Sequence, residues 1–196
     1  MAERECVQAW GDESVRMSLP RPAYLLAASW FKPGEASDLQ RLDAIKPHGA
    51  AKLHWMDMNA QLKRRSIAAI AQEPMLHAVV VACELAGRKQ ERARRKCLEV
   101  LLPFLEQEGI ALLTLESRGR LNDNRDVDML LALRRSGAIE HIDIRHRKGS
   151  EDRALWVPDQ VLGAYAENEL EKDGAQAESD EWARLEAMIR TLWVEL

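Results

Sequence analysis

The sequence predicts an α/β fold in which helices cover a mixed β-sheet. Two apolar segments near the start, at residues 6–11 and 23–31, are bounded by turn-forming residues as strands are. Residues 76–83 are β-branched and apolar on both faces, which is typical of a central strand covered on both sides. Helical and strand patterns alternate from there on, and 196 residues are enough to bury one such core.

The first part of the chain is predicted to contain three strands and two helices. Strands at 6–11 and 23–31 form a hairpin, because prolines and glycines bracket the second strand. A short helix over 35–45 places its leucines and isoleucine on one face. Residues 51–55 alternate between apolar and polar, as in a strand with one wet face, and a helix follows over 59–72.

After the central strand, the pattern predicts two further helices and two further strands. A long helix over 88–108 contains Pro103, which predicts a kink or an early end. A buried strand at 110–115 leads to a helix over 123–136. Residues 140–146 alternate like an edge strand.

The C-terminal part is predicted to lie outside the main domain, which covers residues 1–168. Acidic residues dominate 169–180, as in a solvated linker. The segment 181–196 is predicted to be an amphipathic helix with Trp182 and Trp193 on its apolar stripe. Two tryptophans on one stripe need a covering surface, so the sequence also suggests a homodimer formed through this helix.

The order of these elements favours ribonuclease H-like topology over a Rossmann sheet. A Rossmann sheet begins with a β-α-β unit and a glycine-rich turn, whereas this chain begins with a strand pair and a third strand. Neither G-x-G-x-x-G nor G-x-x-x-x-G-K-[ST] occurs. These absences disfavour a dinucleotide-binding or P-loop function.

Charge and cysteine content favour a cytoplasmic protein without a membrane segment. The formal net charge is -4, so no overall polybasic character indicates nucleic acid. Three widely spaced cysteines suit a reducing compartment and disfavour a disulfide framework. The first residues carry no apolar leader, and the longest apolar stretch is too short to cross a bilayer.

Carboxylates follow apolar segments at three distant places in the chain. Asp12 comes after the first strand, Glu116 follows residues 110–115, and Asp159 lies in the first turn of a helix that Pro158 begins. Such acids can converge at one edge of a sheet and bind Mg²⁺ or Mn²⁺, which prefer oxygen ligands. They therefore predict a metal site for phosphodiester cleavage. The ordinary alternatives are a turn aspartate, a loop acid paired with a local arginine, and a helix-dipole partner.

Two further acids and a histidine accompany this set. Glu13 points to the opposite face from Asp12 if the strand continues, so one of these two acids is interpreted as structural. Glu84, after the central strand, is a reserve ligand. His54 is a candidate catalytic residue that carries a proton, with a hydrogen-bonded structural role as the alternative.

Basic residues could hold the phosphate of a substrate. Arg118 and Arg120 follow Glu116 closely, and Lys52 precedes His54. Another basic group over 88–96 is either a phosphate-backbone contact or a solvated helix face.

Four short motifs resemble an uncharacterised prokaryotic family catalogued as domain of unknown function thirty-eight-hundred, which is counted among ribonuclease H-like folds. They are Gly11-Asp12-Glu13-Ser14, Lys52-Leu53-His54-Trp55, Leu115-Glu116-Ser117, and the segment 155–164, Leu-Trp-Val-Pro-Asp-Gln-Val-Leu-Gly-Ala. The resemblance covers about residues 6–168 and implies a metal site on Asp12, Glu116 and Asp159. Where this chain has Lys52 and His54, relatives carry an acid, so the departure argues against a full two-metal site.

Two functions are consistent with these observations. The first is a divalent-metal-dependent nuclease or phosphodiesterase that acts on nucleic acid through the three carboxylates. The second is a non-catalytic nucleic-acid- or protein-binding module on the same fold, dimerised through the C-terminal helix. Mg²⁺-dependent cleavage by the native chain, compared with Asp12→Asn, discriminates between them.

Overall fold

A computed structural model describes residues 7–85, 89–171 and 179–196. Their strands form one six-stranded sheet in the order β5-β4-β1-β2-β3-β6. The strands are β1 (Val7–Arg16), β2 (Ala23–Phe31), β3 (Met75–Cys83), β4 (Ile110–Glu116), β5 (Asp143–Arg147) and β6 (Ile189–Val194). Strand β2 is antiparallel to both of its neighbours, and the remaining pairs are parallel. The predicted mixed sheet, with a hairpin of the first two strands and an edge strand at β5, is confirmed.

Helices cover both faces of the sheet. They are α1 (Gln40–Asp43), α2 (Ala60–Ile70), α3 (Gln90–Gln107), α4 (Arg120–Ser136), α5 (Trp156–Tyr165) and α6 (Asp180–Glu186). One core lies under α3 and α4, and the other lies under α2, α5 and α6. In the described ranges, no helix combines the length and the apolar character that a membrane crossing requires.

Strand β1 is longer than predicted and runs through the acidic residues instead of ending at them. Its pairing with β2 continues from Ala9 to Arg16, because β2 is buried along almost its whole length and holds the ladder in register. Asp12 therefore lies within the strand, and its side chain points to the α5 face. Gly11 is required beside it, since a Cβ there would lie 2.8 Å from the Ala27 carbonyl oxygen.

The predicted strand at 51–55 is wrong. Residues 51–54 form an irregular segment, and a 3₁₀ turn follows over Trp55–Asp57. The alternation has a different physical cause: Leu53 and Trp55 are buried in the core, while Lys52 and His54 are half-buried beside the sheet. A loop that lies over a core face can alternate in burial as a strand does.

Two predicted helices have different lengths in the structure. The helix predicted over 35–45 is reduced to α1, because Leu39 adopts a left-handed backbone conformation with φ 55°. Its apolar face is nevertheless buried as expected. Helix α3 continues past Pro103 to Gln107, so the helix does not end early.

The predicted C-terminal helix over 181–196 is wrong in its second half. Helix α6 ends at Glu186, and residues Ile189–Val194 form β6, which adds to the sheet beside β3. Trp182 is completely buried in the chain's own core, whereas Trp193 is 62% exposed on the strand. The apolar residues were predicted to form one helical stripe that a second subunit would cover. They are instead divided between α6 and β6. Residues 172–178 of the predicted linker lie outside the described residues.

Candidate functional site

The structure brings the three predicted acids together on the α5 face of the sheet. Asp12 of β1 and Glu116 of β4 lie one residue beyond the paired Gly11 and Leu115 of these parallel strands. Asp159 lies in the first turn of α5, which packs across β1 and β2. Lys52, from the segment before the 3₁₀ turn, joins them. We call Asp12, Lys52, Glu116 and Asp159 the carboxylate–lysine cluster.

Lys52 forms an ion pair with Glu116 inside this cluster. Its Nζ lies 2.6 Å from Oε1 and 2.9 Å from Oε2 of Glu116. Gly149 packs against the pair, because a Cβ there would lie 2.8 Å from Glu116 Oε1 and 3.0 Å from Lys52 Cδ. Burial alone would lower the pKa of Lys52, but the hydrogen bond with Glu116 and the neighbouring carboxylate charges raise it above its usual value. Lys52 is therefore a cation at neutral pH.

Asp12 is the most perturbed carboxyl of the cluster. Burial raises its pKa well above the usual value, and the negative charges of Asp159 and Glu116 raise it further. The backbone N–H of Glu13 donates a hydrogen bond of 2.8 Å to Oδ1, and this bond and the Lys52 charge act in the opposite direction. Lys52 contacts Glu116 and interacts electrostatically with Asp12 and Asp159, so three acidic side chains share the charge of one lysine.

Asp159 is held by the segment that carries Lys52 and His54. Its Oδ2 accepts hydrogen bonds from the backbone N–H of Trp55 at 2.8 Å and from Gln160 Nε2 at 2.9 Å. His54 Nε2 lies 3.9 Å from Asp159 Oδ1. Burial raises the pKa of Asp159, while the Trp55 N–H and the His54 and Lys52 charges counteract the rise.

Trp55 fixes this segment onto α5. Its indole ring occupies the space beside Gly163, where a Cβ would lie 2.1 Å from the ring. Its Nε1 donates to Glu167 Oε1 at 2.9 Å, and the Lys63 ammonium lies 4.8 Å from the centre of its ring. The positions of Lys52 and His54 over the sheet are thus set by a buried aromatic residue that follows them directly in the chain.

The other predicted site residues do not join the cluster. Arg118 turns to the opposite face, where it pairs with Glu91 at 2.6 Å and Asp126 at 3.4 Å. Arg120 is exposed at the first residue of α4. Glu84 is exposed after β3, and β2 separates that strand from β1. Arg118 thus pairs with acids on the α3–α4 side, and the phosphate-binding roles of Arg118 and Arg120 stay predictions.

The structure also contains a buried charged network that the sequence analysis missed. Arg94 of α3 donates to both carboxylate oxygens of Asp126 in α4, at 2.8 and 2.7 Å. Glu13 accepts hydrogen bonds from Arg94 and from the Tyr24 hydroxyl, and His146 Nε2 lies 2.9 Å from Asp126. The sequence does contain a signal for this network. Arg94 and Asp126 each lie on the apolar stripe of their helix, where opposite charges indicate a buried pair.

A cavity of about 610 Å³ lies next to the cluster. Ala51, which precedes Lys52, and Arg147, which pairs in register with Glu116, line it. Trp10 also lines it, and its Nε1 donates to Asp152 at 3.0 Å. The cavity is therefore lined by neighbours of the cluster and not by Asp12, Lys52, Glu116 or Asp159 themselves.

The donor chemistry of the cluster suits a hard divalent cation, but the oxygens are not arranged as a ready ligand set. Three carboxylates with an excess of negative charge are the ligands that Mg²⁺ and Mn²⁺ prefer. Within the described parts of the chain, however, no three His, Cys, Asp or Glu side chains are grouped so as to hold a metal ion. Glu116 is turned towards Lys52.

Comparison with known proteins adds no relative to this description. No protein-family model matches the chain, and a search of curated proteins found no significant match.

Proposed function

We propose that this chain is a ribonuclease H-like protein that hydrolyses phosphodiester bonds in nucleic acid with the help of a divalent metal ion. One observation carries the proposal: Asp12, Glu116 and Asp159, which are far apart in sequence, act on one another electrostatically at one place on the sheet. Burying like charges together is costly unless a ligand of opposite charge uses them.

The strand arrangement supports the ribonuclease H-like part of the proposal. Strands β1 to β5 lie in the order 5-4-1-2-3 with β2 antiparallel to its neighbours, and helices follow β3, β4 and β5. In this arrangement β1, the end of the adjacent β4 and helix α5 each supply one acid. The three acids then share one face of the sheet.

The side chains of the cluster can divide the work of phosphodiester cleavage. The Lys52 ammonium would bind a non-bridging oxygen of the scissile phosphate, since a phosphate competes with Glu116 for the same charge-assisted hydrogen bonds. Asp159 is oriented by Trp55 and Gln160 before substrate arrives. His54 is half-exposed beside Asp159 and would carry a proton to or from solvent.

Asp12, Glu116 and Asp159 would hold the Mg²⁺ or Mn²⁺ ion. When bound, it would supply an acidified water and positive charge for the transition state. Lys52 and His54 stand in the motif where many members of the family that this chain resembles carry an acid, so the Lys52 ammonium would replace part of the positive charge of a second ion. This is why we propose a single-metal centre.

Cleavage assays test the function directly. We expect cleavage of labelled single-stranded or double-stranded DNA, RNA or hybrid by the native chain with Mn²⁺ or Mg²⁺, and none with EDTA. Asp12→Asn should lower the rate by about 10²-fold or more, because it removes a ligand and a negative charge. Asp128→Asn, an exposed acid on α4, is the matched control and should cleave like the native chain.

A non-catalytic binding module is the second candidate, and the Lys52–Glu116 pair favours it specifically. An internal ammonium that neutralises Glu116 is also what a centre without metal would need. This candidate predicts salt-dependent binding of nucleic acid, or binding of a protein, without turnover in any metal. Equal absence of cleavage in the native chain and in Asp12→Asn, with nucleic acid still bound, would reject the hydrolase.

A further inference from the structure

We propose that the cavity between α3 and α4 binds a nucleoside monophosphate, with arginines of both helices on the phosphate and an apolar wall against the base. Helices α3 and α4 cover the face of the sheet opposite to α5 and the carboxylate–lysine cluster. The site needs no metal ion. The inference therefore goes beyond the proposed hydrolase and does not depend on it.

The cavity has the size and the wall of a small-molecule site. Its volume is about 440 Å³, and it lies along the first half of α3 and the middle of α4. Leu98, Met129 and Ala132 supply its apolar part. Small-molecule sites are usually concave and largely apolar, with a few polar groups that fix the orientation of the ligand.

A buried ion pair lines the cavity and holds the two helices side by side. The side chains of Arg94 and Asp126 are each 3% exposed, and Arg94 donates to both oxygens of Asp126. Arg94 Nη2 carries two hydrogens, but Asp126 is its only acceptor among the described residues. Since a buried donor without an acceptor is costly, this N–H favours a ligand that brings an acceptor into the cavity.

The cavity wall carries an excess of positive charge. Besides the buried pair, the charged residues that line it are Arg92, Arg95, Arg125, Glu91 and Asp128. All five are exposed. Three guanidinium groups thus face two carboxylates, which favours an anion over a cation as the ligand.

Glu91 neutralises these arginines only weakly, because an arginine outside the cavity engages it. Arg118 Nη1 lies 2.6 Å from Glu91 Oε1, whereas Arg125 Nη1 lies 3.5 Å from Oε2. Arg95 is 65% exposed, and its own ion pair is 3.5 Å long. Arg92 has no ion-pair partner in the part of the chain that the structure describes. The guanidinium groups are therefore available to phosphate oxygens, which they bind in a bidentate manner.

A nucleoside monophosphate matches the charged and the apolar parts of this cavity together. A phosphate monoester carries nearly two negative charges at neutral pH and three strong acceptor oxygens. A base presents a flat apolar face to side chains such as Leu98 and Met129, and exposed guanidinium planes stack on bases as well. A free phosphate ion would use the arginines alone.

Calorimetric titration of the full chain in EDTA tests the site without any metal. The ligands are AMP, GMP, CMP and UMP, the matching nucleosides, and inorganic phosphate. We expect at least one nucleotide to bind once per chain. Its nucleoside and inorganic phosphate should each bind at least roughly tenfold more weakly, because each lacks one half of the contacts. The nucleotide affinity should also fall as the salt concentration rises.

Two variants separate the charged contacts from the apolar ones. Arg92→Gln combined with Arg125→Gln should weaken nucleotide binding at least roughly tenfold, since it removes two cations from exposed positions. Ala132→Trp fills the apolar part and should weaken nucleotide binding while leaving the weaker binding of inorganic phosphate unchanged. Arg135→Gln is the matched control, because Arg135 is exposed near the end of α4 and does not line the cavity. It should bind nucleotide with native affinity, and thermal melting checks that each variant is folded.

The possible results decide the inference independently of the hydrolase. It is overturned if none of the four nucleotides binds, if nucleotide and nucleoside bind equally, or if the folded double variant keeps native affinity. Binding of a single-stranded oligonucleotide without binding of any mononucleotide would assign the arginines to a nucleic-acid backbone and also reject the site. Nucleotide binding without cleavage in any metal would support this site and reject the hydrolase.

Discussion

At the scale of single residues, the carboxylate–lysine cluster lowers the free energy of unfolding through Asp12. Its carboxylate lies beside two others, and burial together with their charges raises its pKa. A carboxyl whose pKa is higher in the folded than in the unfolded state lowers stability once it ionises. The contribution of Asp12 to the free energy of unfolding is therefore least unfavourable in acid. It becomes unfavourable as the pH rises through the folded-state pKa of Asp12.

Asp12→Asn should consequently stabilise the protein at neutral pH. We expect a gain of roughly 0.5–2 kcal/mol in the free energy of unfolding at pH 7, the usual range for a stabilising substitution, because an amide carries no charge to bury beside Asp159 and Glu116. The gain should shrink as the pH falls through the folded-state pKa towards about 3.9, the unfolded value. Urea unfolding in EDTA at several pH values measures it. A loss of stability at pH 7, or a gain that does not depend on pH, would contradict this explanation.

Sequence reasoning named the three acids and Lys52, but it assigned Lys52 to a substrate phosphate and did not predict the ion pair of Lys52 with Glu116. Acids at the ends of apolar segments have a local signature, whereas the contact of Lys52 with Glu116 depends on how a loop lies over the sheet. The position of Arg118 was missed for a related reason. Strand alternation would place Arg118 on the same face as Glu116, but β4 ends at Glu116 and the chain turns towards α4, where Arg118 pairs with Glu91 and Asp126.

At the scale of elements, α3 and α4 are joined by charge as well as by apolar contact. Arg94 and Asp126 form a bidentate pair that is nearly inaccessible to water. Burial would raise the pKa of Asp126, but hydrogen bonds from Arg94 and His146 lower it to about 2. The stabilisation from Asp126 is thus present above its unfolded pKa and is lost only as the pH falls towards 2.

Removal of one member of this pair should destabilise the fold strongly. We expect Asp126→Leu to cost about 3–5 kcal/mol, because Arg94 would lose its principal partner while remaining buried. The double variant Arg94→Met with Asp126→Leu should cost less than the sum of the single changes. Chemical denaturation measures both, and Lys96→Met, at an exposed pair, should change stability by no more than about 0.5 kcal/mol. Additive costs would show that the two residues act independently.

Elements were predicted well where the pattern was long and less well where it was short. Strands β2, β3 and β4 and helices α2 to α4 follow from sustained apolar periodicity. The segment 51–55 has a strand-like alternation but no adjacent strand to pair with, since β2 already lies between β1 and β3. Pairing partners are set by tertiary structure, which a five-residue pattern does not encode.

At the scale of the whole molecule, the C-terminal segment belongs to the domain that it was expected to follow. Helix α6 completes the core beside α2, and β6 extends the sheet beyond β3. Periodicity placed Trp182 and Trp193 on one helical stripe because apolar residues at 182, 185, 189, 192 and 193 fit a helix. The chain instead ends α6 at Glu186, which gives the two tryptophans opposite environments.

These two tryptophans should respond differently to truncation. Trp182→Ala should cost about 3–5 kcal/mol, because it leaves a large cavity in a completely buried position. Trp193→Ala, at a 62% exposed position, should cost about 1 kcal/mol or less. Thermal and denaturant unfolding compare them, and similar losses for the two would contradict the separation of this segment into α6 and β6.

The parallel pairing of β3 with β6 also has a consequence for how the chain acquires its shape. His77 of β3 pairs with Ile189 of β6, which is far away in the sequence. The outer edge of β3 therefore stays unpaired until the ribosome has made β6. Until then, a highly apolar strand has an unpaired edge, which is open to association with other nascent chains. Strand β6 therefore protects the edge of β3 from intermolecular pairing. Because β6 is synthesised long after β3, this protection is absent during much of synthesis.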